Sequence, residues 1–263
     1  MQKKITRKQY IILSVVSLLV FLIVWELLTD VFHVFTNLTL ASPVKVIQTF
    51  FYKLNHKQPD GGTIQRHMWA SLRVALAGYG LALLIGIPLG IVMAWSKPID
   101  FLMRPIFDFV KAIPGLAWAP LMIIIFGIGF TSKAVTIFIS GMIPCVLNAY
   151  SGIKQTKDVH LWVARTFGAS RMQMLFKVAI PTALPMIMTG ARVALGSSWM
   201  CIVAAELIAS SEGLGYMIQQ CRGIFRPDVI IVGMLCIGGL GSLVTWLIGL
   251  VEKKIVKGRN FDA

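Results

Sequence analysis

Six long apolar runs, divided by short polar stretches, dominate the chain: 10–28, 71–95, 106–128, 135–153, 183–209 and 229–251. A hydrocarbon core ~30 Å thick takes about 20 apolar residues as a helix, so each run predicts one spanning helix. The pattern predicts an all-α, polytopic membrane protein with about six transmembrane helices. The first run is too long, and too poor in small residues at its end, for a removable signal peptide. The third is interrupted by Ile113-Pro-Gly115 and Ala117-Trp-Ala-Pro120. Proline frees helix carbonyls that must find protein or a wet cavity, so this break is either a bend lining a path or a packed kink.

Between the first two runs, Ser42-Pro43 signals a helix start. Val44, Ile47, Phe50, Phe51 and Leu54 then share one face, with Lys45, Gln48 and Lys53 opposite or flanking. That predicts an amphipathic helix, lying at the membrane interface or packed on the protein. Gln58-Pro-Asp-Gly-Gly62 predicts a turn. The divisions are an N-terminal span with an outer segment over 1–62, a core over 63–251 and a cytoplasmic tail over 252–263.

Apolar residues make up 57% of the chain and charged residues 14%, against ~25% charged in soluble proteins. The net charge of +14 is unevenly placed. With the N-terminus inside, the inner segments hold Lys3, Lys4, Arg7, Lys8, Lys97, Arg104, Lys111, Lys154, Lys157, Arg165, Arg171, Lys177, Lys253, Lys254, Lys257 and Arg259. The positive-inside bias of short loops therefore predicts two cytoplasmic termini, and it accounts for the charge without a nucleic-acid partner. No Walker A, HExxH or GxSxG pattern occurs, and Cys145, Cys201, Cys221 and Cys236 form no CxxC. Catalysis and a bound metal are not expected of this chain.

One polar island stands between the fourth and fifth runs: Val163-Ala-Arg-Thr-Phe-Gly-Ala-Ser170, then Lys177-Val-Ala-Ile-Pro-Thr-Ala-Leu-Pro185. Over 158–177, Val163, Phe167, Met174 and Val178 recur at helical spacing, and Gly168 predicts a tight turn between two short helices. Such a helix–turn–helix offers a groove-docking surface to a soluble partner; the plainer reading is a basic cytoplasmic loop.

Ala164-Arg-Thr-Phe-Gly-Ala-Ser170 with Ile180-Pro-Thr-Ala-Leu-Pro185 resembles the EAA loop of binding-protein-dependent ABC importer permeases. More closely, the chain resembles the nitrate/sulfonate/taurine/bicarbonate branch. The similarity runs through Ser71-Leu-Arg-Val-Ala-Leu-Ala-Gly78, Ile113-Pro-Gly-Leu-Ala-Trp-Ala-Pro-Leu121, Phe126-Gly-Ile-Gly129, Gly190-Ala-Arg-Val-Ala-Leu195, Trp199, Ala204-Ala-Glu-Leu207 and Glu212-Gly-Leu-Gly-Tyr216. It implies a type I permease fold. Two copies, as the simplest case a homodimer, would form the pathway, with two cytoplasmic ATPases that bind ATP and Mg and an external solute-binding protein. The chain itself would hold no cofactor and would sit in a bacterial or archaeal cell (inner) membrane. Ala164, Arg165, Gly168, Ala169 and Ser170, with Pro181 and Pro185 behind them, would couple to the ATPase. Trp162 occupies the motif's glutamate position and Val163 the next alanine, and Asp158 would supply the carboxylate for the helix dipole.

Charges within the fifth run are functional candidates by their cost. Arg192 and Glu206 lie ~21 Å apart along a helix, too far to pair. Arg192, expected near mid-membrane, either lines an anion path or gate or pairs structurally, with Asp108 or Asn148 as candidate partners. Glu206, expected near the outer rim, is read as structural or gating, and Arg73 as snorkelling. Trp199, Trp118 and Asn148 complete the pathway candidates. A self-contained secondary transporter or channel, and a membrane scaffold, are the competing readings.

Overall fold

A computed structural model describes residues 7–36 and 38–255 of the chain; Lys3, Lys4, Lys257, Arg259 and most of the expected tail lie outside them. The fold is helical: α1 (Arg7–Glu26), α2 (Pro43–Asn55), α3 (Ile64–Trp95), α4 (Lys97–Ala112), α5 (Ala119–Phe126), α6 (Phe130–Lys154), α7 (Asp158–Thr166), α8 (Arg171–Met174), α9 (Ile180–Ile208), α10 (Leu214–Gly223) and α11 (Pro227–Ile255). Among the described residues five helices are long and apolar enough to cross a membrane, and six if α4 and α5 form one span. The third run is not straight. α4 and α5 meet at 93° across the Ile113–Pro114 break, with a short 3₁₀ turn, Gly115–Trp118, at the corner.

Helix α6 is the centre of the bundle, packed along α3 on one side and α9 on the other. Lipid tails are as apolar as leucine, so these contacts are held by close packing rather than by water exclusion. Small residues let the backbones approach: a Cβ on Gly90 would lie 2.5 Å from the Val146 carbonyl, and one on Gly190 would lie 2.6 Å from Asn148 Cβ. Pro144, inside α6, deprives the Ser140 carbonyl of its intrahelical donor. Ser197 of α9 fills the gap, its hydroxyl donating to Ser140 O at 3.3 Å, and Ser140 Oγ answers by donating to Ser197 O at 3.4 Å.

A second apolar core joins α10 and α11 to the start of α3 and to α2. Helix α2 begins as predicted, with Ser42 capping Lys45 N–H at 3.4 Å and Pro43 in the first turn. Its orientation differs from a simple amphipathic helix. Val44, Ile47 and Phe51 face outward, whereas Val46, Thr49 and Lys53 are buried. Lys53, assigned above to the polar face, is fully enclosed and pairs with Asp60, also donating to Gly62 O at 2.6 Å. Burial alone would push the Asp60 carboxyl up, but hydrogen bonds from His67 and Lys53 outweigh it and hold the group below the usual carboxylate range.

Candidate coupling loop and translocation face

The polar island folds into the helix–turn–helix that Gly168 predicts. α7 opens on Asp158, a carboxylate in the first turn where the helix dipole favours it. It ends in a Schellman motif: Ala169 N–H donates to Ala164 O at 3.0 Å and Gly168 N–H to Arg165 O at 2.9 Å. Gly168 sits at φ +77, the left-handed conformation that this cap requires and that glycine adopts without a Cβ penalty. Ser170 then starts α8 with a capping box, accepting from Gln173 N–H at 3.3 Å while Gln173 Oε1 accepts from Ser170 N–H at 2.8 Å. A π-helical stretch, Leu175–Ala179, carries the chain into α9, with Pro181 in the first turn and Pro185 inside.

The loop is anchored on one side and bare on the other. Met174, Leu175 and Ala179 are buried, and Arg171 donates to the last carbonyl of α3, Trp95 O, at 3.0 Å. Val159, Trp162, Val163 and Phe167 are exposed, Phe167 to 88%. Ala164 and Ala169 are half-buried; Arg165, Gly168 and Ser170 are exposed. A short helix held this firmly gains nothing by showing its aromatic side chains to water. Exposed apolar groups rimmed by polar residues mark an interaction surface.

The five pathway candidates are not brought together. Arg192 pairs with Glu252 near the far end of α11, and not with Asp108, which binds Lys111 at 2.6 Å, or with Asn148, whose amide donates to Pro144 O at 2.9 Å. Glu252 is followed by Lys253 and Lys254 at the polar end of its helix, so Arg192 lies closer to that end than mid-membrane. The sequence reading missed Glu252 because their proximity depends on how α9 and α11 pack. Arg192→Ala is expected to strand the buried Glu252 carboxylate and lower the unfolding midpoint in detergent by several degrees, at a cost of roughly 3 kcal/mol. Adding Glu252→Gln should restore most of that loss.

Glu206 is buried and hydrogen-bonded by a hydroxyl and a backbone N–H. Ser71 Oγ donates to it at 2.8–2.9 Å and Gly215 N–H at 2.9 Å, while Leu214 N–H donates to Ser71 Oγ at 2.8 Å. Gly213 N–H donates to His67 Nδ1 at 3.1 Å, which assigns the proton to His67 Nε2, 2.8 Å from Asp60 Oδ2. These N–H groups begin α10, so Ser71, His67 and Glu206 satisfy the donors that a helix N-terminus leaves free. The Gly213–Leu214–Gly215 string follows from this arrangement. Gly213 has φ +124, and a Cβ there would meet the Glu206 carboxylate at 2.2 Å.

Trp199 donates its indole N–H to Ile237 O at 3.2 Å and packs against Gly241 of α11. Trp118 closes the 3₁₀ turn at the α4–α5 corner. Arg73 does not simply snorkel: it pairs with Glu212 at 3.0 Å. Of the charged groups that do share a cavity, Arg104 and Lys111 were counted above as inner charges and Asp108 as a candidate partner of Arg192. Asp100, Arg104, Asp108 and Lys111 of α4, with Tyr150 and Ser151 of α6, line a cleft of about 330 Å³.

Fold and site together describe a helical membrane bundle centred on α6, with a doubly capped loop bearing exposed apolar side chains at one end and a sealed polar cluster at the other. Residues 86–257 match the binding-protein-dependent transport system inner membrane component family, and the chain belongs to it. The taurine transport system permease protein of Escherichia coli (strain K12) is 35% identical over 246 residues, 92% of this chain and 88% of that protein. The nitrate import permease protein of Synechocystis sp. (strain ATCC 27184 / PCC 6803 / Kazusa) is 32% identical over 250 residues, 94% of this chain and 90% of that protein. The fold matches an inward-facing structure of the MetNI methionine ABC transporter with a TM-score of 0.65 at 19% identity, covering 74% of this chain and 96% of that one.

Proposed function

We propose that the protein is the permease subunit of an ATP-driven importer for a small solute bearing an oxyanion, of the taurine or sulfonate, nitrate or bicarbonate class. The relatives' names support the substrate class. In this reading both termini and the α7–α8 loop are cytoplasmic, and an external binding protein delivers solute to the α10 end. Two copies of the chain, as a homodimer, enclose the path. Two ATPase subunits bind ATP and Mg and act on the permease through 158–177, where Ala164, Arg165, Gly168, Ala169 and Ser170 meet an ATPase groove. Arg192, half exposed beside Glu252, stays a candidate for the path, whereas Glu206 and Trp199 belong to its frame.

The observation that carries the proposal is the rigid, doubly capped α7–α8 turn with Phe167 exposed to 88%. A self-powered transporter has no use for such a surface. Purification of the tagged protein from native membranes in mild detergent tests it. An ATPase subunit at near-equal stoichiometry is the expected result; a well-folded preparation without one would remove the coupling assignment.

A further inference from the structure

Helices α3 and α4 are joined by a single residue. Trp95 ends α3, Ser96 is extended at φ −117 and ψ 106, and Lys97 opens α4. One residue leaves no slack, so a displacement of Trp95 passes directly to α4 and to the 93° corner that breaks the third span.

The α7–α8 turn grips this joint. Arg171 is the first residue of α8, next to the capping residue Ser170, and its guanidinium donates to Trp95 O at 3.0 Å. Among the described residues this is the only hydrogen bond or ion pair that ties 158–177 to α3, α4 or α6. Beneath it, Leu175 and Ala179 share an apolar cluster with Ala94, Trp95 and Ile153. A cation on the last carbonyls of a helix is favourable in its own right, so the bond could serve as a cap alone. The state of the joint argues for more.

Trp95 Nε1 and, one turn into α4, Asp100 Oδ1 are closed off from solvent and have no hydrogen-bond partner among the described residues. Buried polar groups left unpaired cost free energy that a permanent position would recover. Helix α4 meets α6 through Phe107 against Val146 and through side-chain tips. Tyr150 donates to Asp100 Oδ2 at 3.0 Å, and Arg104 donates to the Tyr150 hydroxyl. Such tips can exchange partners as a helix shifts. Unpaired groups at a one-residue joint mark an element with a second arrangement, which is what carrying a signal between distant sites requires.

We propose that Arg171 is a positioning residue of the transport cycle. It locks the α7–α8 turn to the end of α3, so that displacement of the turn by the ATPase moves the α3–α4 joint and the broken span with it. The inference rests on the ATPase-coupling reading above and goes beyond it, naming the bond that carries the stroke out of the loop and the helix that receives it.

The test uses the permease–ATPase complex in proteoliposomes with binding protein, as wild type, Arg171→Ala and Arg171→Lys. Radiolabelled taurine, nitrate and bicarbonate are screened on wild type, and whichever is imported becomes the probe. Uptake and ATP hydrolysis are measured together, and hydrogen exchange over 95–104 is followed with and without trapping by ATP and vanadate. Arg171→Ala is expected to keep the ATPase bound and hydrolysing while uptake per ATP falls about tenfold. Arg171→Lys, which keeps the charge and a donor, should recover most of that loss. Trapping should alter exchange over 95–104 in wild type and leave it unaltered in Arg171→Ala.

A bond that only caps α3 gives another result: a lower unfolding midpoint for Arg171→Ala with uptake per ATP unchanged. That outcome overturns the proposal, as does trapping that alters 95–104 equally in wild type and Arg171→Ala. Should Arg171→Ala fail to assemble, wild type decides, and exchange over 95–104 that ignores trapping overturns the proposal. A wild-type complex that holds no ATPase, or imports none of the three solutes, overturns the transport reading beneath it instead.

Discussion

Gly168→Asp is expected to leave the protein folded in the membrane while cutting import at least ~30-fold and releasing the ATPase during purification. The fold should survive because a Cβ on Gly168 meets nothing within 4 Å. The left-handed φ of +77 is also one that aspartate tolerates better than most residues, at a local cost of about 1 kcal/mol. The loss arises at the docked surface, where an unpaired carboxylate shut away from water costs roughly 2–5 kcal/mol. Gly168→Ala separates the two effects, since it carries similar backbone strain and no charge. Import by the alanine variant should stay within a few-fold of wild type. The checks are ATPase stoichiometry, the unfolding midpoint and ATP-dependent uptake. Unchanged uptake in Gly168→Asp would discard 158–177 as the coupling element.

Glu206→Ala should damage the protein itself. The carboxylate takes hydrogen bonds from Ser71 and from Gly215 N–H inside a sealed cluster, and its removal leaves those donors unpaired beside a new cavity. Breaking a buried charged network from one side costs about 3–5 kcal/mol. For a chain of this size the unfolding midpoint should fall by roughly 6–20 °C, with lower yield from membranes. Glu206→Gln keeps the shape and one acceptor and should lose less than half as much. A gating residue would behave otherwise: Glu206→Ala would then be stable, bind the ATPase and transport abnormally. Normal stability with altered uptake would return Glu206 to the path.

Much of the architecture was legible along the chain because its cause is local. A run of about 20 apolar residues has few alternatives to a membrane helix, and each predicted run coincides with a long helix except the third, which is the bent pair α4 and α5 and begins at Lys97 rather than 106. Ser42-Pro43 and Gly168 were readable for the same reason: a cap or a left-handed turn is decided by a handful of neighbouring residues. The partners of charged groups were not readable. Arg192 meets Glu252, sixty residues onward in sequence, and Lys53 closes on Asp60 while His67 reaches the start of α10. One signal was available and passed over. The spacing of Asp100, Arg104, Asp108 and Lys111 marks a charged face on α4, but the third run was placed from 106 onward, which left Asp100 and Arg104 outside it and Asp108 and Lys111 inside.

By itself the sequence determined the all-helical membrane class, the number of spans, the broken third span and the position of the α7–α8 turn. Each is fixed by hydropathy or by backbone geometry over a few residues. Only the tertiary structure decided what the buried charges do: that Glu206 and Ser71 cap α10, that Lys53 lies inside, and that the α4 charges share a cleft with Tyr150. An ionised group in a low-dielectric interior takes whichever partner packing brings within about 3 Å, and that choice is made between helices far apart in the chain.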